Sequence, residues 1–361
     1  LRGASAWFLA AIGAVAAGCG QPASTTGPGG SPTASGGGAE ADRPAFTGRP
    51  KLLFITNSNA DWWNAVEKGM TDGASEFGAD VEMRRNEGST QGQIRLLEDA
   101  ASLPDVQGVA VSVIEADAPG VADAMRELKE AGKVVIAIDS DIAPAMADAR
   151  AAYIGTNNVK AGEAAGQAAA ALRPDGGRVC IFVGTSSAAN ARERKQGFFQ
   201  GAGPKFVEAE AFDDGGDKAR ASTNVQTALS KHPDAGVMLG LWSYNAPRIA
   251  EEVAGDPAVR KRTTVVTFDL DELAVGHVEE GRIDVTVCQN PYEMGYQGVR
   301  LLKALLAKDD ASIQEILPDG KTRDTGVRVI VPATDSPVKG DNVIAIEAMK
   351  SWLESKGLKS S

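Results

Sequence analysis

The sequence predicts an α/β protein of two doubly wound parallel-sheet lobes joined by a three-segment hinge. Three observations carry this. From Lys51 onward, short apolar strands alternate with helical stretches, the pattern of parallel sheets covered on both faces. The alternation runs through two similar series, and the fourth strand of each ends in Asp: Asp139 in IAIDSD and Asp269 in VTFDLD. Beyond its N-terminal apolar and Gly-rich segments the chain keeps about 310 residues, more than one core usually covers.

The first series comprises KLLFITN (51–57), VEMRRN (81–86), GVAVSV (108–113), KVVIAID (133–139) and AAYIG (151–155), with helical stretches such as 62–77 and 119–130 between them. The second comprises RVCIFVG (178–184), FVEAEAF (206–212), GVMLGLW (236–242), TTVVTFD (263–269) and DVTVCQ (284–289). A long helix (292–307), the strand TGVRVIVP (325–332) and a last helix over roughly 342–356 follow. Crossings between lobes are expected near Thr156-Asn157, Gln289-Asn290 and Thr325–Val327. The first lobe is then 51–156 plus 290–325, and the second 157–289 plus 326–361.

The N-terminal end reads as an export signal. Arg2 is the only charge before an apolar stretch from Trp7 to Ala17, too short to span a bilayer. It closes on VAAGCG, which resembles a bacterial lipobox with Ala16 where Leu is usual, so residues 1–18 would be removed and Cys19 lipidated. Residues 20–48 are almost all Gly, Ser, Thr, Pro and Ala, so 19–50 reads as a flexible tether. Cys180 and Cys288 fall in apolar strands and are expected as buried free thiols. The chain has 37 basic and 48 acidic side chains, a formal net charge of −11. That acidity argues against nucleic acid or an anionic membrane surface as partner.

In a parallel sheet all strand C-termini share one edge, where open α/β sheets bind ligands. VMLGLWSYN ends there on Asn245, TTVVTFD on Asp269 and DVTVCQ on Gln289. Two amides and one carboxylate suit hydroxyl groups rather than phosphates. Asp139 would face Asp269 from the other lobe. A strand-end Asp can instead cap the next helix, but Asp141 and Asp271 compete for that role. Asn245 precedes Ala246-Pro247 and is balanced between ligand and cap. Trp62 and Trp63 follow the first strand, and an indole can stack on the apolar face of a sugar ring. Arg192 and Arg194 are two apart on a helix, so only one can enter the cleft. Asp213-Asp214-Gly215-Gly216-Asp217 reads first as a turn, with a minor ligand option for Asp213 or Asp214.

No cofactor or metal is expected. The turn lacks the oxygen-ligand spacing of a calcium loop, and no P-loop, G-x-S-x-G or H-E-x-x-H occurs. His232 and His277 are expected at the surface.

With these residues in place, the chain resembles the type I periplasmic sugar-binding proteins, the ribose-binding-like substrate receptors of ABC importers. The likeness runs from about Lys51 to Val331 and rests on ARERKQGF, Asn245, the FD of Asp269 and the Q-x-P of Gln289. GLWSYN and QNPYEMGYQ look like one sugar-receptor subgroup. By matching position, the resemblance implies ligand contacts at Trp62, Trp63, Ser112, Asp139, Arg194, Asn245, Asp269 and Gln289, and it favours Arg194 over Arg192. It implies a monomeric receptor serving an ABC permease, held to the membrane only by its lipid. There are departures. A Trp pair replaces the family's Phe pair, Ser140 replaces the Arg that follows the first-lobe Asp, and Gly216 falls near the second-lobe aromatic, leaving Trp242 or Phe212 as substitutes. A larger sugar or a different polyol is therefore open. The same cleft would serve a chemotaxis or sensor-kinase receptor. An enzyme reading would use Asp139 and Asp269 as an acid/base pair at a defined short separation.

Overall fold

The computed structural model describes residues 44–361. The expected signal (1–18), the expected lipidation site Cys19 and most of the expected tether lie outside the described residues. The tether's end is already docked: the Phe46 N–H donates to Leu306 O at 2.8 Å, and Arg49 pairs with Asp80.

Two separate sheets form, one per lobe. The first holds β1 (Lys51–Ile55), β2 (Asp80–Arg84), β3 (Val106–Val111), β4 (Val134–Asp139), β5 (Ala152–Gly155) and, from late in the chain, β11 (Thr322–Asp324). Its order is β11-β5-β4-β3-β1-β2, all parallel. The second holds β6 (Gly177–Val183), β7 (Phe206–Asp213), β8 (Ala235–Gly240), β9 (Thr264–Phe268), β10 (Val285–Cys288), β12 (Arg328–Val331) and β13 (Val343–Ala345). Its order is β13-β12-β10-β9-β8-β6-β7.

Helices cover both faces. In the first lobe they are α1 (Trp63–Phe77), α2 (Thr90–Ser102) and α3 (Pro119–Glu130); in the second, α4 (Asn158–Leu172), α5 (Ala189–Ala202), α6 (Lys218–Lys231), α7 (Asn245–Ala254), α8 (Pro257–Arg262) and α9 (Glu272–Glu279). Then α10 (Pro291–Ala307) and α11 (Asp310–Ile316) pack on the first lobe, and α12 (Ile346–Lys356) on the second. Buried side chains alternate between faces: Leu52 and Phe54 of β1 enter one core, Leu53 and Ile55 the other.

The chain passes between sheets three times, after Gly155, after Cys288 and after Asp324. Two passages run side by side, because Thr325 N–H donates to Gly155 O at 2.8 Å. Two of them lead straight into capped helices. Asn157 caps α4 through Lys160 N–H, and Asn290 caps α10 with Pro291 at its first position.

Glycines set the closest helix approaches. A Cβ on Gly162 or Gly166 would lie 2.2 or 2.1 Å from the Arg194 or Phe198 carbonyl oxygen, so α4 and α5 meet backbone to backbone. α1 and α10 repeat this in the other lobe, where Gly69 would meet Tyr292 O and Gly295 would meet Val66 O.

Several expectations need correction. β12 runs antiparallel to β10, so the second sheet is mixed. The last helix starts at Ile346, because Val343–Ala345 pairs with β12. His232 and His277 are buried rather than surface residues, beside Glu210 and Glu251 respectively. Asp271 caps α9, but Asp141 caps no helix; it accepts from Ile142 N–H and pairs with Arg150. Cys180 and Cys288 are buried and free, and burial pushes the Cys180 thiol up to about 11.

Candidate functional site

β4 and β9 end alike. Asp139 and Asp269 both take φ of +60°, the left-handed region that Asp adopts more readily than most residues. The turn brings each carboxylate off its strand end and into the space between lobes. Both are buried.

Each carboxylate is held by its own lobe. Asp139 Oδ2 accepts from Ser112 Oγ at 2.7 Å and from Asn57 Nδ2 at 3.3 Å. The Tyr153 hydroxyl donates to the Asp139 carbonyl at 2.7 Å and braces the turn. Asp269 accepts from Gln289 twice, from the backbone N–H at 3.0 Å and from Nε2 at 2.9 Å, while Thr286 Oγ1 donates to its carbonyl.

Arg194 lies between them at 2% exposure. Its guanidinium donates to Asn158 Oδ1 and to Leu241 O, stacks 4.7 Å from the Phe268 ring centre, and comes within 3.9 Å of Asp269 Oδ2. Arg192 faces outward and reaches Asp117 of the first lobe at 3.3 Å. Of the two arginines, the structure buries Arg194 in the cleft and leaves Arg192 at its rim.

Charge follows geometry. Burial raises the Asp139 carboxyl to about 6; Ser112 and Arg194 oppose the rise and Asp269 adds to it. Burial raises Asp269 as well, opposed mainly by Arg194 and Gln289.

Trp62 and Trp63 meet edge to face at 5.0 Å. Trp63 is core, its Nε1 donating to Ser58 Oγ at 3.2 Å. Trp62 Nε1 is buried and unpaired; it lies near enough to Asp269 to favour its ionised form but not in hydrogen-bonding geometry. Gln289 Oε1 is likewise buried and unpaired. Asn245 begins α7 rather than capping it. Its Oδ1 accepts from Trp242 N–H, and its Nδ2 donates to Asp214 Oδ2 at 2.8 Å. Asp214 is buried beneath it, also accepting from Tyr244 and from Gly216 N–H, whereas Asp213 accepts from Ser186 at the surface. Phe212 stacks on Phe182 in the core, while Trp242 stands at the strand end with its Nε1 on Asn190. Asn57 was not among the sequence candidates; its place at the end of KLLFITN, just past β1, was the available signal.

Among the described residues no group of His, Cys, Asp or Glu is arranged to hold a metal ion, and no helix is long and apolar enough to cross a membrane.

Two doubly wound lobes with facing polar strand ends define a hinged solute receptor. The periplasmic binding protein domain family matches residues 52–310, and the chain belongs to that family. It is 26% identical over 268 residues to the D-allose-binding periplasmic protein of Escherichia coli, covering 72% of this chain and 85% of that one. It is 25% identical over 280 residues to the D-ribose/D-allose-binding protein of Pseudomonas aeruginosa, covering 72% and 83%. Among solved structures it is similar to an ABC transporter solute-binding protein from Burkholderia graminis in complex with D-arabinose, at TM-score 0.71 and 25% identity, over 79% of this chain and 96% of that one. A glucose-galactose binding protein from Geobacillus stearothermophilus matches at TM-score 0.69 and 26% identity, over 79% and 98%.

Proposed function

We propose that the chain is an extracytoplasmic receptor that encloses a sugar between its lobes and delivers it to the permease of an ABC transporter. The observation that carries this is the pair of buried, unpaired atoms, Trp62 Nε1 and Gln289 Oε1, beside two buried carboxylates and a buried guanidinium. A donor, an acceptor, two anions and one cation, all withdrawn from water, match a molecule that carries many hydroxyls. The names of the relatives, all sugar-binding, support the same class.

Trp62, Asp139, Arg194, Asp269 and Gln289 touch the sugar in this reading. Ser112 orients Asp139, Trp63 backs Trp62, and Asn245 reaches the ligand with the hydrogen and lone pair that Asp214 and Trp242 leave free. The lobes divide as 51–156 plus 290–325 and 157–289 plus 326–361, and they swing about the three passages. Ligand gripped by both lobes favours the closed arrangement.

A thermal-shift panel of monosaccharides and polyols, followed by solution scattering with the best ligand, tests the reading. A sugar that raises the melting temperature, reduces the radius of gyration and shifts tryptophan emission is expected. Tight binding with unchanged scattering would indicate a rigid pocket, and turnover of the bound sugar would indicate an enzyme. Lipidation of Cys19 in the cell envelope belongs to the same proposal: Cys19→Ser is expected to move the protein from the membrane to the soluble extracytoplasmic fraction with sugar binding intact. Wild-type protein found wholly soluble after export would end that part.

A further inference from the structure

Beside the carboxylate site lies a cavity of about 290 Å³, walled by both lobes where two hinge passages meet. Ser140, Tyr153 and Thr156 line it from the first lobe and its passage, and Asn158, Asn190 and Glu193 from the second. It adjoins the first site through shared walls. Ser140 follows Asp139 directly, and Asn158 holds the guanidinium of Arg194 at 2.9 Å. Asn190 accepts from the Trp242 indole.

Its polar groups are not all satisfied. Thr156 is 2% exposed and its Oγ1 has no partner. Glu193 is half-buried, and desolvation raises its carboxyl against an opposing hydrogen bond from Asn158. Tyr153 adds a ring wall whose hydroxyl is already committed to Asp139 O. Val159 and Ala189 add small apolar side chains, and Asp141, Thr322, Arg323 and Asp324 close the wall beside the third passage. Hydroxyl, amide and carboxylate groups beside one aromatic edge repeat the chemistry of the first site. The space by itself comes close to the ~300 Å³ at which small-molecule pockets begin.

We propose that this cavity receives a second sugar unit, so that the preferred ligand is a disaccharide or glycoside whose first unit sits between Asp139 and Asp269. The inference rests on the cleft being a sugar site. Thr156 and Glu193 supply the polar contacts to the second unit, and closure of the hinge completes the wall around it.

Calorimetry with the purified protein tests it, using D-glucose and D-galactose against maltose, cellobiose, lactose and melibiose. At least one disaccharide is expected to bind tenfold or more tightly than either monosaccharide. Ala189→Leu, which fills the cavity, is expected to remove that advantage and leave monosaccharide affinity within twofold. Glu193→Gln keeps the shape and is expected to weaken only the disaccharide, giving a second reading if Ala189→Leu folds poorly. Monosaccharides that bind while every disaccharide is weaker or excluded would overturn this inference and leave the receptor reading standing. Failure of every monosaccharide and polyol in the thermal-shift panel, together with these six sugars, would overturn both.

Discussion

Lowering the pH from 7 to 5 is expected to weaken sugar binding, because a hydroxyl donating to Asp139 requires the carboxylate. Burial raises this group to about 6 in the unliganded protein. At pH 7 about nine molecules in ten are then ionised, and at pH 5 about one in eleven, so affinity should fall about tenfold, or ~1.4 kcal/mol. Close to one proton should leave per sugar bound at pH 5, and about a tenth of one at pH 7. Stability of the unliganded protein should move the other way. A carboxyl raised from 3.8 to about 6 contributes stability that is fully present below pH 3.8 and is lost as pH rises through 6. The shift corresponds to about 3 kcal/mol, and Asp269, raised too, adds in the same direction. Titration calorimetry at pH 5, 6 and 7, in buffers of different ionisation enthalpy, reads affinity and proton release together. Thermal melts of the unliganded protein read the opposite slope. Flat affinity with no buffer-dependent heat would refute the assignment of Asp139 as an ionised acceptor.

Asp139→Asn and Asp269→Asn should each lose about 2–4 kcal/mol of sugar affinity, since a charge-assisted bond goes and its partners are left poorly matched. Asn is the informative replacement because it tolerates the left-handed backbone at both positions; calorimetry showing normal affinity in both would misplace the site. Gly166→Val should cost about 1–3 kcal/mol or more of stability, read by denaturant unfolding, because its Cβ would lie 2.1 Å from Phe198 O. An unchanged midpoint would mean that α4 and α5 can separate without loss.

Much of the fold was legible because strands buried on both faces must be apolar throughout and must end where polarity begins. That rule locates Asp139, Asp269 and Gln289. It fails for β11, a Thr-Arg-Asp triplet with no apolar run, and for β13, whose three apolar residues run straight into the helix at Ile346. They are strands only because β5 and β12 offer edges to pair with. Asn57 ends KLLFITN by the same rule, but its partner Asp139 is 82 residues away, and only that contact shows its part in the site. Asp214 was named only as a minor ligand option, and its support of Asn245 was not legible, because DDGGD satisfies turn chemistry while Tyr244 and Asn245 lie thirty residues on. The histidines misled because His232 precedes Pro233 in a polar stretch and His277 sits on a helix leading into two Glu, whereas each is covered by a carboxylate from another element. Arg194 could be chosen over Arg192 only through the family resemblance, since helical spacing separates their faces without saying which turns inward.

The left-handed turns at Asp139 and Asp269 bear on any attempt to engineer this protein. A non-glycine residue in that conformation costs of order 1–3 kcal/mol, and each of these also carries a desolvated acid. Glycine would relieve both burdens at once. A selection for heat resistance carried out without ligand would therefore favour Asp139→Gly and Asp269→Gly and return robust proteins that bind nothing. The same selection run in saturating sugar would keep both aspartates, because binding energy then enters the melting temperature. Those two positions are where durability and recognition pull in opposite directions.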